Sequence, residues 1–145
     1  MKNQVLAISL GLISMIAFGQ KSELKTAEKA IKKGEFASAL VAVNSVDAMV
    51  ATMDSKYKAK YYFLKGQALA GESNYAAAAK SFNNLFDYEI EIGKKKYTKL
   101  AKPMFGSLIE KVSTKAINLY SNDKNYKDAC LISFKSIEYS FKKRF

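Results

Sequence analysis

The chain repeats one helix-start pattern three times. The segments GEFASALVAV from Gly34, SNYAAAAKSF from Ser73 and KNYKDACLIS from Lys124 each place an aromatic residue three positions before an alanine. The aromatic residues lie 39 and then 51 positions apart. Self-similarity at this scale is typical of stacked helical hairpins, because one hairpin buries its apolar face only against a neighbour. The pattern predicts an all-α fold of about three stacked antiparallel helical hairpins.

The apolar residues between these starts follow the helical period of three and four positions. One stripe contains Phe36, Ala39, Leu40, Val43 and Val46. Polar turns separate the stripes at 32–35, 48–55, 71–74, 91–96 and 121–125. No segment shows the sustained alternation with hairpin turns that marks β-strands, so we expect helices throughout.

Three residues mark the ends of these helices. Asn74 and Asn125 stand just before aromatic-led helices, where an Asn side chain accepts a hydrogen bond from a free amide. Pro103 has no amide donor and clashes with the preceding helical turn, so a bend or a helix start is expected there.

The second copy resembles a tetratricopeptide repeat (TPR). Gly66 occupies the small position in the family's first helix, and Tyr62 the position of the family's tryptophan. Tyr75, Ala78 and Phe82 occupy the aromatic, alanine and aromatic positions of the second helix. The resemblance implies a TPR-like α-solenoid, in which the alanine allows two helices to approach closely.

The other two copies match the family less completely. The first keeps Ala27, Gly34, Phe36 and Ala39 but has Val43 at the later aromatic position. The third keeps Tyr126 and Ala129 but has Ile117 at the small position and Ser133 at the later aromatic one. The resemblance covers residues 22–141, with spacings longer than the family's usual repeat. An irregular helical bundle remains the alternative interpretation.

The first nineteen residues have the layout of a secretory signal peptide. A short start with Lys2 precedes an apolar run of 14 residues, and Ala17 and Gly19 place small residues before Gln20. A membrane anchor is the alternative, but a bilayer span needs about 20 residues. We therefore expect cleavage after Gly19 and an exported mature chain, periplasmic or secreted, without a transmembrane span. Together with the repeats, this layout resembles secreted repeat proteins of Bacteroidetes-type bacteria.

The chain is strongly basic. It carries 24 Lys and Arg against 13 Asp and Glu, and loss of residues 1–19 lowers its formal charge from +11 to +10. Such a balance favours acidic surfaces and polyanions. The lysines are scattered, with small groups at 32–33 and 94–96 and in the basic tail at 142–145, so an ordinary solvated surface is the favoured interpretation. Nucleic acid is not an expected partner of an exported chain without a base-reading motif.

The sequence lacks the commonest residues of catalysis, and among enzymes a hydrolase that uses two carboxylates stays open. It contains no His and one Cys, Cys130, which we expect to be buried. The commonest general base, a multi-Cys zinc site and an internal disulfide are thereby excluded. Glu89 and Glu91 lie two positions apart on a helix, point in different directions and are interpreted as solvated groups. The sequence predicts a non-enzymatic protein without cofactor or metal.

The family resemblance implies a protein-interaction module whose first helices line a concave face. Carried over by position, this face contains Leu24, Glu28, Ile31, Phe63, Gln67 and Ala70. The family's clamp of Lys and Asn residues for a terminal carboxylate is missing, because Leu24, Glu28, Phe63 and Gln67 stand at those positions. We therefore expect an extended or helical segment of a protein or peptide partner in the cell envelope.

Two other functions remain open. One is a basic protein that binds polyanions or the envelope surface, and its binding would weaken steeply with salt. The other follows from the last helix, SIEYSFKKRF, which ends without Gly or Asn. Solenoids need a cap at each end, so either the basic tail is the cap, or a further repeat or a second copy covers this helix.

Overall fold

The computed structural model describes residues 19–121, and this range is helical without any strand. The helices are α1 (19–33), α2 (Phe36–Asn44), a 3-10 helix (Asp47–Thr52), α3 (Ser55–Gly71), α4 (Tyr75–Glu91) and α5 (Lys96–Ser121). The all-α prediction is confirmed for this range. The predictions for residues 1–18, Asn125, the third helix start at Tyr126, Cys130 and the tail at 142–145 lie outside the described residues.

Consecutive helices pack as antiparallel neighbours, as their short connections require. Between α3 and α4, the rings of Tyr62 and Tyr88 lie 6.3 Å apart. Further along the same pair of helices, the Phe82 ring packs against Gly66, which leaves no room for a side chain there. The small residue and the aromatic residue that the sequence pairs in one hairpin are therefore in contact.

The two hairpin turns, α1 to α2 and α3 to α4, have the same backbone geometry. Gly34 and Ser73 adopt positive φ angles of 79° and 59°. The N-cap residues that follow, Glu35 and Asn74, have φ of −84° in both cases and ψ of 65° and 67°. The Asn74 side chain also accepts a hydrogen bond from the amide of Ala77, as predicted.

Each of these turns is closed by the same pair of hydrogen bonds. The amide of the positive-φ residue donates to the carbonyl three positions earlier, and the next amide donates to the carbonyl five positions earlier. This is a Schellman motif, which ends a helix and satisfies its last carbonyls. Ala39 and Ala78, three positions after the aromatic residue of each turn, are fully buried as expected. The repeated sequence pattern thus corresponds to a repeated local structure.

Helix α3 is the centre of the described part of the chain. Its residues Tyr61 and Leu64 belong to an apolar cluster with side chains of α1 and α2. Its residue Ala59 belongs to a second cluster with side chains of α4 and α5, including Phe82 and Phe105. Because α3 is packed on both sides, its apolar residues are spread around the helix instead of forming one stripe.

Helix α5 packs along α4 and contains Pro103. The Phe105 ring lies edge-on to the rings of Phe82 and Phe86, with centroids 6.4 and 5.4 Å away. The helix begins at Lys96, so the helix start considered at Pro103 is wrong. The structure places this proline inside the helix, where it lacks the amide that would otherwise donate to the carbonyl of Lys99.

The start of α5 is held by a buried carboxylate. Glu89 is only 2% exposed, and its two oxygens accept hydrogen bonds from the amides of Tyr97 and Thr98 at 2.9 and 2.7 Å. A negative charge at a helix N-terminus is favourable, since the first amides have no partner within the helix. The interpretation of Glu89 as a solvated group is therefore wrong, because sequence spacing does not reveal that α5 starts beside it.

Candidate functional site

The predicted partner-binding residues lie on α1 and α3. Glu28 of α1 links these two helices. Its carboxylate binds the Lys60 ammonium of α3 at 2.5 Å and the Lys32 ammonium at 3.3 Å. These contacts, above all the hydrogen bond from Lys60, hold the pKa of Glu28 below its ordinary value. The side chain therefore stays ionised and links α1 to α3.

Phe63 and Gln67 join α3 to α5. The Phe63 and Tyr97 rings lie 5.2 Å apart with their planes tilted by 35°. One turn further along α3, the Gln67 amide nitrogen donates to the Met104 sulfur at 3.6 Å. All four side chains are half-buried, so each presents part of its surface to solvent and part to the neighbouring helix.

Tyr97 occupies the junction of several elements. Its backbone amide donates to Glu89 of α4, while its ring contacts Phe63 of α3. Burial raises the pKa of its phenol, and the negative charges of Glu28 and Glu89 raise it further. Tyr97 therefore remains a neutral hydrogen-bonding group, electrostatically linked to α1 as well as to its own end of α5.

The other predicted residues contribute less surface. Leu24 is 1% exposed and belongs to the core cluster with Val43 and Leu64, so its prediction as a surface residue is wrong. It precedes the buried Ala27 by three positions and therefore lies on the same side of α1. Ile31 and Ala70 are half-buried and pack against the core clusters, so each offers only a small exposed area.

Several residues of this surface were missed by sequence analysis. We use the term α1–α3–α5 face for the surface that contains Glu28, Lys60, Phe63, Gln67, Tyr97, Leu100 and Met104. Leu100 is 54% exposed and lies between Tyr97 and Met104 on one stripe of α5, since the three positions are separated by three and four residues. The helical spacing was visible in the sequence, but nothing in it showed that this stripe lies beside α3.

The charged rim of this face is mainly basic. Lys21, Lys25, Glu28 and Lys32 follow one another at intervals of four, three and four positions, so they form one stripe of α1. All three lysines of this stripe are exposed, and we call them the α1 lysine stripe. The only carboxylate in the stripe is Glu28, which already binds Lys32 and Lys60.

A second polar network lies at the other side of α3. The Tyr61 hydroxyl donates to Asp47 at 2.6 Å, and the Lys65 ammonium donates to both groups. Burial, followed by the hydrogen bond to Asp47, strongly raises the pKa of Tyr61. A surface depression of about 230 Å³ borders this network and is lined by Tyr61, Tyr62, Lys65, Leu69, Ala77, Lys80, Ser81 and Asn84. The hydrogen bonds of Asp47 with Tyr61 and Lys65 hold the 3-10 helix against α3.

A larger surface depression, of about 680 Å³, lies between the start of α4 and the second half of α5. It is lined by Tyr75, Ser107, Glu110, Lys111, Thr114, Lys115 and Asn118. Lys111 places its ammonium 5.9 Å from the centre of the Tyr75 ring. None of the predicted partner-binding residues lines this depression, so it is a feature separate from the α1–α3–α5 face.

Within residues 19–121, His, Cys, Asp and Glu side chains form no group of three that could hold a metal ion. In the same range, no helix combines the length and the apolar character that crossing a bilayer requires. Comparison of the chain with protein-family models, with curated proteins and with solved structures gives no match.

Proposed function

We propose that the mature chain is an exported, non-enzymatic, TPR-like scaffold that binds a segment of a protein or peptide partner in the cell envelope. The observation that carries this proposal is the recurrence of one hairpin turn at Gly34 and Ser73, with matching dihedral angles and matching aromatic and alanine positions. A repeated hairpin places the first helix of each pair on a common side. In this proposal α1, α3 and α5 are the first helices of the three pairs, and the α1–α3–α5 face is their common side.

The composition of this face supports a binding role. It combines an aromatic pair, Phe63 and Tyr97, with an amide at Gln67 and an exposed apolar side chain at Leu100. A protein segment is recognised by apolar anchors together with a few polar groups that fix its register. The Gln67 amide nitrogen donates to the Met104 sulfur, which is a weak acceptor. A backbone carbonyl of a partner would be a stronger acceptor for this nitrogen.

The experiment is site-specific photocrosslinking in the native cells. A photoreactive amino acid replaces Leu100 on the α1–α3–α5 face or, as a matched control, Val41 of α2, which is 73% exposed and lies off this face. The proposal expects a crosslinked partner at Leu100 that is missing at Val41. The same crosslinks at both positions, or none at Leu100, would contradict binding on this face.

Export is tested independently of binding. Mass spectrometry of the protein purified from the envelope fraction should give a chain that starts at Gln20, with the mass of residues 1–19 removed. A full-length chain recovered from the cytoplasm would contradict the export part of the proposal.

Polyanion binding is a second candidate function, favoured by the exposed lysines of α1 and of the α4–α5 turn. Titration with heparin at two salt concentrations distinguishes the two functions, because polyanion binding falls steeply with salt and needs no apolar side chain. Replacement of Leu100 by Ser should therefore weaken the binding of a protein partner and leave heparin binding unchanged. Light scattering of the mature chain tests self-association, the remaining alternative.

A further inference from the structure

We propose that the segment bound on the α1–α3–α5 face is acidic and amphipathic: its carboxylates contact the α1 lysine stripe and its apolar side chains contact Leu100. This inference rests on the proposed function, because it specifies the chemistry of the partner of that same face. It is carried by the arrangement of charge and apolar surface on the two outer helices of the face.

The charge of α1 defines the first requirement. Lys21, Lys25 and Lys32 are exposed, and Lys21 and Lys25 have no ion-pair partner among the described residues. The one carboxylate in this stripe, Glu28, pairs with Lys32 and with Lys60 of α3, so it offsets only part of the positive charge along this side of α1. Three ammonium groups along one side of a helix attract a segment with several carboxylates and repel a basic one.

The apolar surface of α5 defines the second requirement. Leu100 is more than half exposed and is flanked by Tyr97 and Met104, which contact α3. The exposed part of this stripe can gain free energy only by contact with apolar atoms of a partner. A segment that lies across the face therefore needs carboxylates towards α1 and apolar side chains towards α5.

The same observations argue against two other occupants. A second copy of this chain, with a formal charge of +10 after removal of residues 1–19, would be repelled from the lysine stripe. A membrane surface would need exposed apolar residues close together. Among the described residues, the large exposed ones are divided between helices, with Val41 on α2, Ile90 on α4, and Leu100 and Ile117 on α5.

Fluorescence anisotropy of the mature chain with synthetic peptides tests the inference. The probes are one amphipathic helical peptide with Glu on its polar face, the same peptide with Gln in place of Glu, and the same peptide with Lys in place of Glu. A polyglutamate of equal charge and vesicles of anionic lipid complete the set. We expect the Glu peptide to bind more tightly than every other probe, and its binding to weaken as the salt concentration is raised.

Variants locate the binding. The double variant Lys25→Glu and Lys32→Glu should weaken binding of the Glu peptide about tenfold or more, because like charges then face each other. The control is Lys99→Glu with Lys102→Glu, which reverses two exposed charges of α5; Lys99, two positions from Tyr97, lies on the opposite side of the helix. Leu100→Ser should also lower the affinity for the Glu peptide. The control pair should leave that affinity within about twofold of the value for the unchanged chain.

The outcomes separate this inference from the proposed function. Equal binding of the Gln and Glu peptides, lost in Leu100→Ser, overturns the acidic partner and leaves the binding face intact. Failure of every peptide to bind overturns the acidic, amphipathic partner, whereas the proposed function is overturned by the absence of a crosslink at Leu100. Binding of polyglutamate or anionic vesicles as strong as that of the Glu peptide, unaffected by Leu100→Ser, also overturns the inference and favours polyanion binding.

Discussion

The Phe82 ring fills the space in which a side chain at Gly66 would stand. A Cβ atom at Gly66 would lie 2.6 Å from Cε1 of this ring, well inside the contact distance of two carbon atoms. Phe82 is fully buried, so the ring has no free space into which it could move. The contact between α3 and α4 at this point therefore depends on the absence of a single methyl group.

Gly66→Ala should lower the free energy of unfolding by about 1–3 kcal/mol, because the added methyl group overpacks this contact. The control is Gly106→Ala inside α5, where a Cβ would meet no atom within 4 Å. Since Ala is the better helix former, this control should stabilise by up to about 1 kcal/mol. Urea denaturation measures both, and equal effects of the two substitutions would contradict the close packing at Gly66.

Ser73→Gly should stabilise the chain by about 0.5 kcal/mol. Ser73 has a φ of 59°, and the left-handed conformation costs a residue with a Cβ about 1–2 kcal/mol. The gain is reduced by the greater freedom of Gly in the unfolded chain, which is worth about 0.5–1 kcal/mol. The reciprocal substitution, Gly34→Ala at a φ of 79°, should destabilise by about 1 kcal/mol. Thermal unfolding of both variants checks whether the two turns share one conformation; shifts of the same sign would show that they do not.

Glu89→Gln should destabilise by about 1–3 kcal/mol, because the oxygen of the side-chain amide can accept from only one of the two part-buried backbone amides that the carboxylate now satisfies. Hydrogen exchange at Tyr97 and Thr98 should accelerate more than at the centre of α5. Glu91→Gln is the matched control, since Glu91 is exposed and its replacement should change stability by less than about 0.5 kcal/mol. Unchanged exchange at both amides would contradict the capping role of Glu89.

The buried phenol of Tyr61 makes stability depend on alkaline pH. Its pKa in the folded chain is raised, so above about pH 10 the unfolded chain loses this proton first and unfolding becomes easier as the pH increases. Tyr61→Phe should cost about 1 kcal/mol at neutral pH through loss of the hydrogen bond to Asp47, and should reduce the alkaline decline. Urea denaturation of both proteins over this pH range gives the comparison. Parallel curves for the two proteins would exclude the effect.

The elements that local chemistry determines could be predicted from the sequence. Asn74 signals a helix start because its short side chain can accept from a free amide close to it in the chain. The pairing of Gly66 with Phe82 was also accessible, since both lie within one hairpin, at positions where the family resemblance implies a small and an aromatic residue. The burial of Ala39 and Ala78 followed from the same pattern.

The contacts between hairpins could not be predicted in this way. Glu89 and Thr98 meet because the α4–α5 turn is short, and spacing along one helix says nothing about a group on the next. Lys60 binds Glu28 across 32 positions of sequence, and this depends on how α1 and α3 lie side by side. The candidate face is built mainly from such contacts, so its outline was only partly visible in the sequence.

The central position of α3 also determines how the chain can unfold. Both apolar clusters contain side chains of this helix, so neither is complete until α3 is ordered. Repeat arrays commonly lose their outer units one at a time, since each unit contacts only its neighbours. Loss of α3 would open both of these clusters, so we expect the described helices to unfold as one cooperative unit, with the slowest-exchanging amides in α3.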